Sequence, residues 1–421
     1  VAPQCRAVIR LFQLRPYQRD AIDALENHWR VGQGNALVAL ATATGKSVVI
    51  AWHIRDILCR YPARILVLTH VQELIEQNLE HLLALWPDAP VGVNSAGLGR
   101  RDWDQQIIFA SIQSVFRNPQ KLGHRDLVIV DEAHLIPHGG DGMYRTLFDA
   151  LRHPDFRIAG FTATPFRLDS GRLDEGDGKV FDEIVYSYDI GQGIRDKWLS
   201  PLSSKATQTR IDVSGVGRRG GEFIEHELQD AADIPAVVSG ACDEIVRLGA
   251  DRQCWLIFCT GVRHAEHVRD ALRMRGVETE MLLGETPQEE RERIIRELKT
   301  GTVRCVVNVM VLTTGFNVLQ VDLIAMLRPT LSTGLYVQML GRGSRKAPGK
   351  VDVSEAVERS SELRAVVEVA VYRDGKWWRV AERRLCDGTE IDRHYQPWTP
   401  GSRQLAYDTM RRTPYNDSVP Y

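Results

Sequence analysis

Short apolar runs alternate with stretches in which apolar residues recur every three or four positions, and this alternation repeats along most of the chain. Ala36 to Ala41 is the first run, followed by Arg64 to His70, Ile107 to Ser111, Val128 to Val130 and Arg157 to Thr162. Continuous runs this short, rich in β-branched residues, predict strands buried on both faces, as in a parallel sheet. Between them, Ala21, Ile22, Leu25 and Trp29, and later Leu74, Ile75, Leu79, Leu82 and Leu83, fall at helical spacing. From Ala236 a second unit of the same kind begins. Its expected strands are 254–260, 279–283, 303–309 and 321–327, with helices over 237–248, 264–275 and 287–299 and another opening at Leu335. The expected fold class is α/β, with two tandem parallel-sheet lobes.

The pattern divides the chain into a first lobe (1–200), a linker or insertion (201–235), a second lobe (236–350) and a small C-terminal region (351–421). The linker is rich in Gly, Asp and Arg, and Gly215 to Gly221 is its most flexible piece, either a solvated loop or a contact for nucleic acid. In the C-terminal region Ser354 to Arg364 predicts a helix. Alternating residues 365–371 and 377–385 predict a hairpin about Asp374-Gly375. Trp377 and Trp378 then point to opposite faces of their strand.

Length and composition narrow the class. The chain has 421 residues, more than one ordinary core holds, with 43% hydrophobic and 26% charged residues and a net charge of -2. Contact with nucleic acid would therefore rest on local basic patches. Seven cysteines contain no CxxC pair, and their odd count fits a reducing cytosol. No apolar run is long enough to span a bilayer and residues 1–10 hold no signal-peptide core, so no membrane association is expected. The chain starts at Val1 rather than Met, which reads as a segment of a longer protein.

Chemistry gathers at the strand ends, where α/β sheets bind ligands. The first strand runs into Thr42-Ala43-Thr44-Gly45-Lys46-Ser47 and then a helix, the order a phosphate-binding loop demands. Lys46 would reach the β/γ-phosphates and Ser47 would ligate Mg²⁺. The full GxxxxGK[ST] pattern is not met, because position 40 is Leu, and Ala43 stands where many such loops have Gly. Ala fits there provided no positive φ is required. Val128-Ile129-Val130 runs into Asp131-Glu132-Ala133-His134. Two adjacent acids can divide two jobs, Asp131 on Mg²⁺ and Glu132 on the attacking water. Thr69, His70, Ser111 and Gln113 end other strands, where they either cap helices or hold a nucleic-acid backbone. Arg342 and Arg345, on Gly341-Arg-Gly-Ser-Arg345, form either a basic surface loop or a pair that grips a triphosphate across an interlobe cleft.

The ordered set Leu-Arg-Pro-Tyr-Gln18, Thr-Ala-Thr-Gly-Lys-Ser47, Asp-Glu-Ala-His134, Thr-Ala-Thr164, Thr-Thr-Gly315 and Gln338-Met-Leu-Gly-Arg-Gly-Ser-Arg345 resembles a superfamily 2 DEAH-box helicase, a motor of two RecA-like lobes, over residues 11–349. Phe-Thr-Ala-Thr-Pro-Phe-Arg-Leu168 and Val-Asp-Leu-Ile-Ala-Met-Leu-Arg-Pro-Thr330 make it similar, within that superfamily, to the bacterial RadD family of DNA-repair ATPases. The resemblance implies ATP and Mg²⁺ as cofactors. It implies that Arg15 and Gln18 read the adenine, that Thr162 and Thr164, with His134, couple hydrolysis to movement, and that Gln338, Arg342 and Arg345 sense the γ-phosphate. Gly315 falls on the nucleotide side, and Thr260, Thr313 and Thr314 near the nucleic-acid track. Asn317 stands where the family has Asp, which weakens a ribose contact there. RadD-like proteins also carry a Cys-rich zinc module after the second lobe. Its lack here predicts a segment missing near 350–354, and zinc would belong only to that segment.

The function expected is an ATP-dependent DNA helicase or translocase of repair and recombination. It would be a monomer at the cytoplasmic nucleoid, meeting single-stranded or branched DNA and, by family resemblance, recombination or single-strand-binding proteins. An RNA helicase stays open, because sugar discrimination depends on 2′-OH contacts. So does an ATP-gated clamp that hydrolyses ATP without unwinding.

Overall fold

The computed structural model describes residues 13–32, 34–137, 142–167, 171–219, 222–311, 318–360, 367–374, 377–384 and 390–397, with backbone alone beyond Ser354. The first lobe is one eight-stranded sheet built from β1 (Ala36–Leu40), β2 (Ile65–Thr69), β3 (Val91–Ser95), β4 (Arg100–Arg101), β5 (Ile107–Ser111), β6 (Leu127–Asp131), β7 (Arg157–Thr162) and β10 (Glu183–Tyr188). A small separate hairpin pairs β8 (Phe166–Arg167) with β9 (Gly171–Arg172). The sheet runs β10-β1-β7-β6-β2-β5-β3-β4, parallel except for the edge pair β3/β4. β3, β4 and β10 add strands that the apolar runs did not predict.

Every residue of β1, β2 and β6 is buried, as continuous apolar runs require. One face of the sheet packs against the apolar stripes of α1 (Pro16–Val31), α2 (Lys46–Arg60) and α3 (Gln72–Leu85). The other packs against the helix Met143–Leu151. Helices on both faces leave the carboxyl ends of the central strands as the open edge, and the loops after β1, β6 and β7 meet there.

The second lobe is a six-stranded, wholly parallel sheet. It joins β11 (Leu202–Ile211), β14 (Trp255–Phe258), β15 (Thr279–Leu282), β16 (Cys305–Asn308), β17 (Leu323–Met326) and β18 (Val353–Ser360) in the order β11-β18-β17-β14-β16-β15. Two expectations change here. Residues 202–211 are the edge strand of this sheet rather than linker. Residues 353–360 are a strand rather than a helix, so the lobe reaches beyond 236–350 on both sides. Ser-Glu-Ala-Val-Glu-Arg reads as helical by propensity, but tertiary context wins. Ser354 is fully buried between β11 and β17, its N–H donating to the Asp322 carbonyl at 2.9 Å. Lys350, Val351 and Asp352 lead directly into β18. Beyond it, β19 (Val367–Asp374), β20 (Trp377–Arg384) and β21 (Glu390–Pro397) form an antiparallel sheet. Asp374 sits opposite Trp377, which fits the hairpin expected at that turn. The side chains of Trp377 and Trp378 lie outside the described residues.

The rest of the supposed linker is also folded. β12 (Arg218–Arg219) pairs with β13 (Glu222–Phe223), and the helix Glu225–Ala232 follows. Ile211, Val213, Phe223, Leu228 and Ala232 form a small core of their own. Glu222 ties this unit to the segment after β17, because its carboxylate accepts hydrogen bonds from the Thr330 hydroxyl, Leu331 N (3.0 Å) and Ser332 N (3.1 Å). Arg328, which is buried, donates to Glu225 at 3.1 Å and to the Thr260 carbonyl at 3.0 Å. Removing the Glu222 carboxylate takes the acceptor from the Thr330 hydroxyl and Leu331 N, while Ser332 N keeps the Thr330 Oγ1 at 3.0 Å. Glu222→Ala should therefore lower unfolding free energy by about 1–3 kcal/mol, read by chemical denaturation, with Glu225→Ala costing less because that carboxylate is exposed.

Candidate active site

The loop 41–45 turns the end of β1 into α2. Gly45, at the N-cap of α2, has φ 86°, and Ala43 has φ 71°. Ala43 therefore does adopt a positive φ, so the condition under which Ala fits the loop without strain is not met. A non-glycine residue in that region carries strain, and such strain persists where the surroundings fix it. The surroundings are visible. Gln18 Nε2 (2.8 Å) and the Tyr17 hydroxyl (2.7 Å) both donate to the Thr44 carbonyl, and Thr44 Oγ1 donates to the Ala41 carbonyl at 2.6 Å. Gln18 Oε1 accepts from Arg15 N at 3.0 Å, so both ends of its amide tie the start of α1 to the loop. Arg15 stacks over Trp198 at 4.8 Å, and Tyr17 stacks on Tyr188 at 4.0 Å. The free N–H groups at the start of α2, with Lys46 and Ser47 as its first residues, face the strand-end cleft, a cradle suited to an anion.

Lys46 Nζ lies 3.1 Å from Glu132 Oε1, both side chains nearly buried. Glu132 has φ 52°, a second strained non-glycine residue, which turns its side chain away from the line of β6. Its Oε2 is buried without a hydrogen-bond partner and lies 3.4 Å from His134 Nδ1. Asp131 Oδ1 accepts from Glu132 N at 3.0 Å and its Oδ2 from Asn78 Nδ2 at 2.9 Å. The Ser47 hydroxyl accepts from Gln77 Nε2 at 3.0 Å. The Ser47 hydroxyl and the Asp131 carboxylate are oxygen ligands of the kind Mg²⁺ takes, and Glu132 Oε2 and Asn78 Oδ1, buried without hydrogen-bond partners, are acceptors suited to its waters.

The two lobes meet at this site. Gln338 Nε2 approaches His134 Nε2 at 3.3 Å. An amide nitrogen can only donate, so His134 Nε2 accepts and the ring proton sits on Nδ1. That proton points to Thr162 Oγ1 at 3.0 Å, which in turn donates to the Thr164 carbonyl at 3.1 Å. A continuous chain thus runs from the second lobe through His134 to the Thr-Ala-Thr turn. Arg342 is 7% exposed, and burial, then Arg345, push its pKa down to about 9 while Glu132 opposes them. Burial also lowers Arg345. Gly341 abuts the loop so closely that a Cβ there would lie 2.3 Å from the Thr42 Cβ.

The nucleic-acid candidates divide. Ser111 and Gln113 line a pocket of about 350 Å³ with His70, Ser95 and Arg101, at the open ends of β2, β3 and β5. Thr69 does not reach it: the residue is fully buried and its hydroxyl donates to the Val71 carbonyl at 3.0 Å. Thr260 is likewise buried, its hydroxyl 2.8 Å from His264 Nδ1. Both cap chain turns, the alternative that strand-end hydroxyls always leave open. Thr313, Thr314 and Gly315, with Asn317, lie outside the described residues. The apolar spacing alone did not single out Gln77, Asn78 or Arg101. For Asn78 a signal existed, since it interrupts the buried stripe of Leu74, Ile75 and Leu82 with an amide.

Two parallel-sheet lobes meeting at a P-loop, a strand-end acid pair and paired arginines define the RecA-like helicase core. Residues 11–167 match the family model described as "Type III restriction enzyme, res subunit", and residues 239–347 match "Helicase conserved C-terminal domain". A Saccharomyces cerevisiae protein assigned as the ATP-dependent helicase IRC3 is 29% identical over 79% of this chain and 49% of its own length. A Schizosaccharomyces pombe protein assigned as the mitochondrial ATP-dependent helicase irc3 is 29% identical over 81% of this chain and 56% of its own. Among solved structures, a fragment assigned as the HsdR subunit of a Vibrio vulnificus YJ016 type I restriction enzyme superposes with TM-score 0.61 at 21% identity, covering 83% of this chain and 65% of that one. The two family models together support a superfamily 2 helicase core, and the chain spans about half the length of the yeast relatives it matches.

The acid pair carries opposite electrostatics. Burial and then the Glu132 charge raise the Asp131 pKa to about 6, against Lys46 and Asn78. For Glu132 burial also raises, but Lys46, His134 and Arg342 outweigh it and hold the pKa below the usual value. A carboxyl that binds its proton more tightly folded than unfolded favours the native state below its unfolded pKa of about 3.9. That advantage is lost as pH rises through about 6. Asp131→Asn removes it. The variant without nucleotide should therefore melt no lower than the parent at pH 7, with a flatter dependence of melting temperature on pH between about 4 and 6.

Proposed function

We propose that this chain is an ATPase driven by nucleic acid, with MgATP bound between its lobes. The observation that carries the reading is the convergence of Lys46, Glu132 and Arg342 from two lobes into one buried cluster. Bound Mg²⁺ would draw charge from the phosphates, held by Ser47 directly and Asp131 through its carboxylate. Lys46 leaves Glu132 for the β/γ-phosphates, which frees Glu132 Oε1, beside an Oε2 that accepts no hydrogen bond, to hold and deprotonate the attacking water. Arg342 and Arg345 approach the γ-phosphate from the second lobe, where a planar fork matches its oxygens. Gln338, His134, Thr162 and Thr164 relay the closing of the cleft. Thr42, Ala43, Thr44 and Gly45 cradle the phosphates, and Arg15 and Gln18 flank the adenine side.

Nucleic acid lies across both lobes, held at phosphates by the pocket of Ser111, Gln113 and Arg101, so its binding weakens with salt. DNA is the favoured strand, supported by the fold likeness to a restriction subunit and the RadD-like strings around Thr164 and Arg328. Repair or recombination is the finer reading that this likeness suggests. The test is ATPase activity with single-stranded, duplex and branched DNA, and RNA as control. Stimulation by DNA over RNA is expected; no response to any nucleic acid sinks the proposal, and stimulation by RNA alone moves the substrate to RNA. A strand-displacement assay separates a motor from an ATP-gated clamp. In the same assay Lys46→Ala should lose nucleotide binding or turnover. Glu132→Gln should keep binding and lose turnover by at least about 100-fold, and parental turnover in that variant would remove Glu132 from the catalytic role.

A further inference from the structure

Helix α3 carries two side chains into the metal side of the cleft that no motif requires. Gln77 holds the Ser47 hydroxyl and Asn78 holds the Asp131 carboxylate, at 3.0 and 2.9 Å. Asn78 is 1% exposed, and it occupies a position in the apolar stripe of α3 where packing alone would favour Leu or Ile. Its Oδ1 is buried with no partner in the protein. Leaving an amide oxygen in that state costs about 1–3 kcal/mol, so a residue kept for packing would be apolar. Both donors of the pair, moreover, point at the two groups expected to serve Mg²⁺, and Mg²⁺ retains several of its waters when bound. The same helix begins at Gln72, which with His70 lines the strand-end pocket. His70 is itself fixed by the Tyr144 hydroxyl, 2.8 Å from its Nδ1. Gln72 and Gln77 are five positions apart, about one and a half helical turns.

We infer that Gln77 and Asn78 are positioning residues for the metal, with Asn78 Oδ1 accepting a hydrogen bond from a water of bound Mg²⁺, and that α3 links their placement to nucleic acid seated in the strand-end pocket. The inference rests on the functional reading above. Partners that orient ligands and waters around an ion commonly set its affinity by about 10–100-fold. Because the two amides stand on a rigid helix that starts in the pocket, a shift at Gln72 moves both. Metal affinity should therefore respond to nucleic acid even when no turnover occurs.

The test uses Mn²⁺ in place of Mg²⁺, with a non-hydrolysable ATP analogue, and reads bound ion by electron paramagnetic resonance with and without single-stranded oligothymidylate. Asn78→Ala and the similarly branched Asn78→Leu should each weaken Mn²⁺ by about tenfold or more. Gln77→Ala should act in the same direction. The parent should bind Mn²⁺ more tightly when the oligonucleotide is present, and the Asn78 variants should lose that response. Thermal melting identifies variants that are folded, and Asn78→Leu keeps the packing if Asn78→Ala does not. Parental Mn²⁺ affinity in a folded Asn78 variant overturns the metal assignment. An oligonucleotide that binds the parent without changing its Mn²⁺ affinity overturns the link through α3. A parent that binds no Mn²⁺–nucleotide at all overturns the functional reading along with it, so the failures are distinguishable.

Discussion

A lysine and a glutamate buried against each other at the mouth of a parallel sheet constrain everything around them. Lys46 and Glu132 sit 3.1 Å apart where water scarcely reaches. Such a pair is costly to leave half-made, because either charge alone would be buried without compensation. Glu132 must leave the run of β6 to meet Lys46, and it does so through a left-handed backbone that its neighbours hold in place. Lys46 must be the first residue of α2, which in turn demands the strained loop between Ala41 and Gly45. Once the pair exists, a polyanion entering the cleft can replace one attraction with another of the same sign. The pair is thus a stand-in for what the site binds, and it keeps both charges compensated within the fold until then.

The second consequence is directional. Glu132 belongs to one lobe, but its ionised form is favoured partly by Arg342 from the other. His134 joins the same cluster to Gln338 in the second lobe and to Thr162 in the first. Chemistry and lobe position are therefore expressed in one hydrogen-bond chain, whose proton sits on His134 Nδ1. Separating the lobes breaks this chain at the Gln338–His134 contact. The folded unit 211–232 adds a further grip, since Glu222 holds Ser332, the residue that caps the helix Thr333–Leu340 carrying Gln338. Ser332 Oγ accepts from Leu335 N at 3.1 Å. The part of the chain that looked most like a tether is fastened to the helix that completes the site.

What could be read from the sequence was what is written contiguously. The apolar runs 36–41, 64–70, 128–130 and 254–260 each became a strand, because burial on both faces leaves no other pattern. Lys46, Ser47, Asp131 and Glu132 were legible because a strand end fixes where the next few residues must point. Thr69 and Thr260 looked equivalent to Ser111, yet only Ser111 reaches the open pocket, since a hydroxyl at a strand end can turn inward to its own backbone as easily as outward. Residues 353–360 were misread because their composition favours a helix, while the deciding interaction is pairing with strands 27 or more residues away, at β17, and about 150 residues away, at β11. The positive φ of Ala43 was not legible for a related reason: Tyr17, Gln18 and Thr44 together hold the loop, and no local rule contains all three.

Gly341 contributes by what it lacks. With no side chain of its own, it lets the second lobe rest directly against Thr42. The closed spacing of the cleft is consequently recorded in the sequence as a missing methyl group. A protein with a bulkier residue at 341 would keep both cores, both sheets and every charged group, but it could not bring them to the same distance. Folding and closure would then come apart as separate properties, because neither lobe's interior depends on that contact. In mechanical language the glycine is a stop, and it gives this molecule a place where its range of travel can be reset without rebuilding the parts that travel.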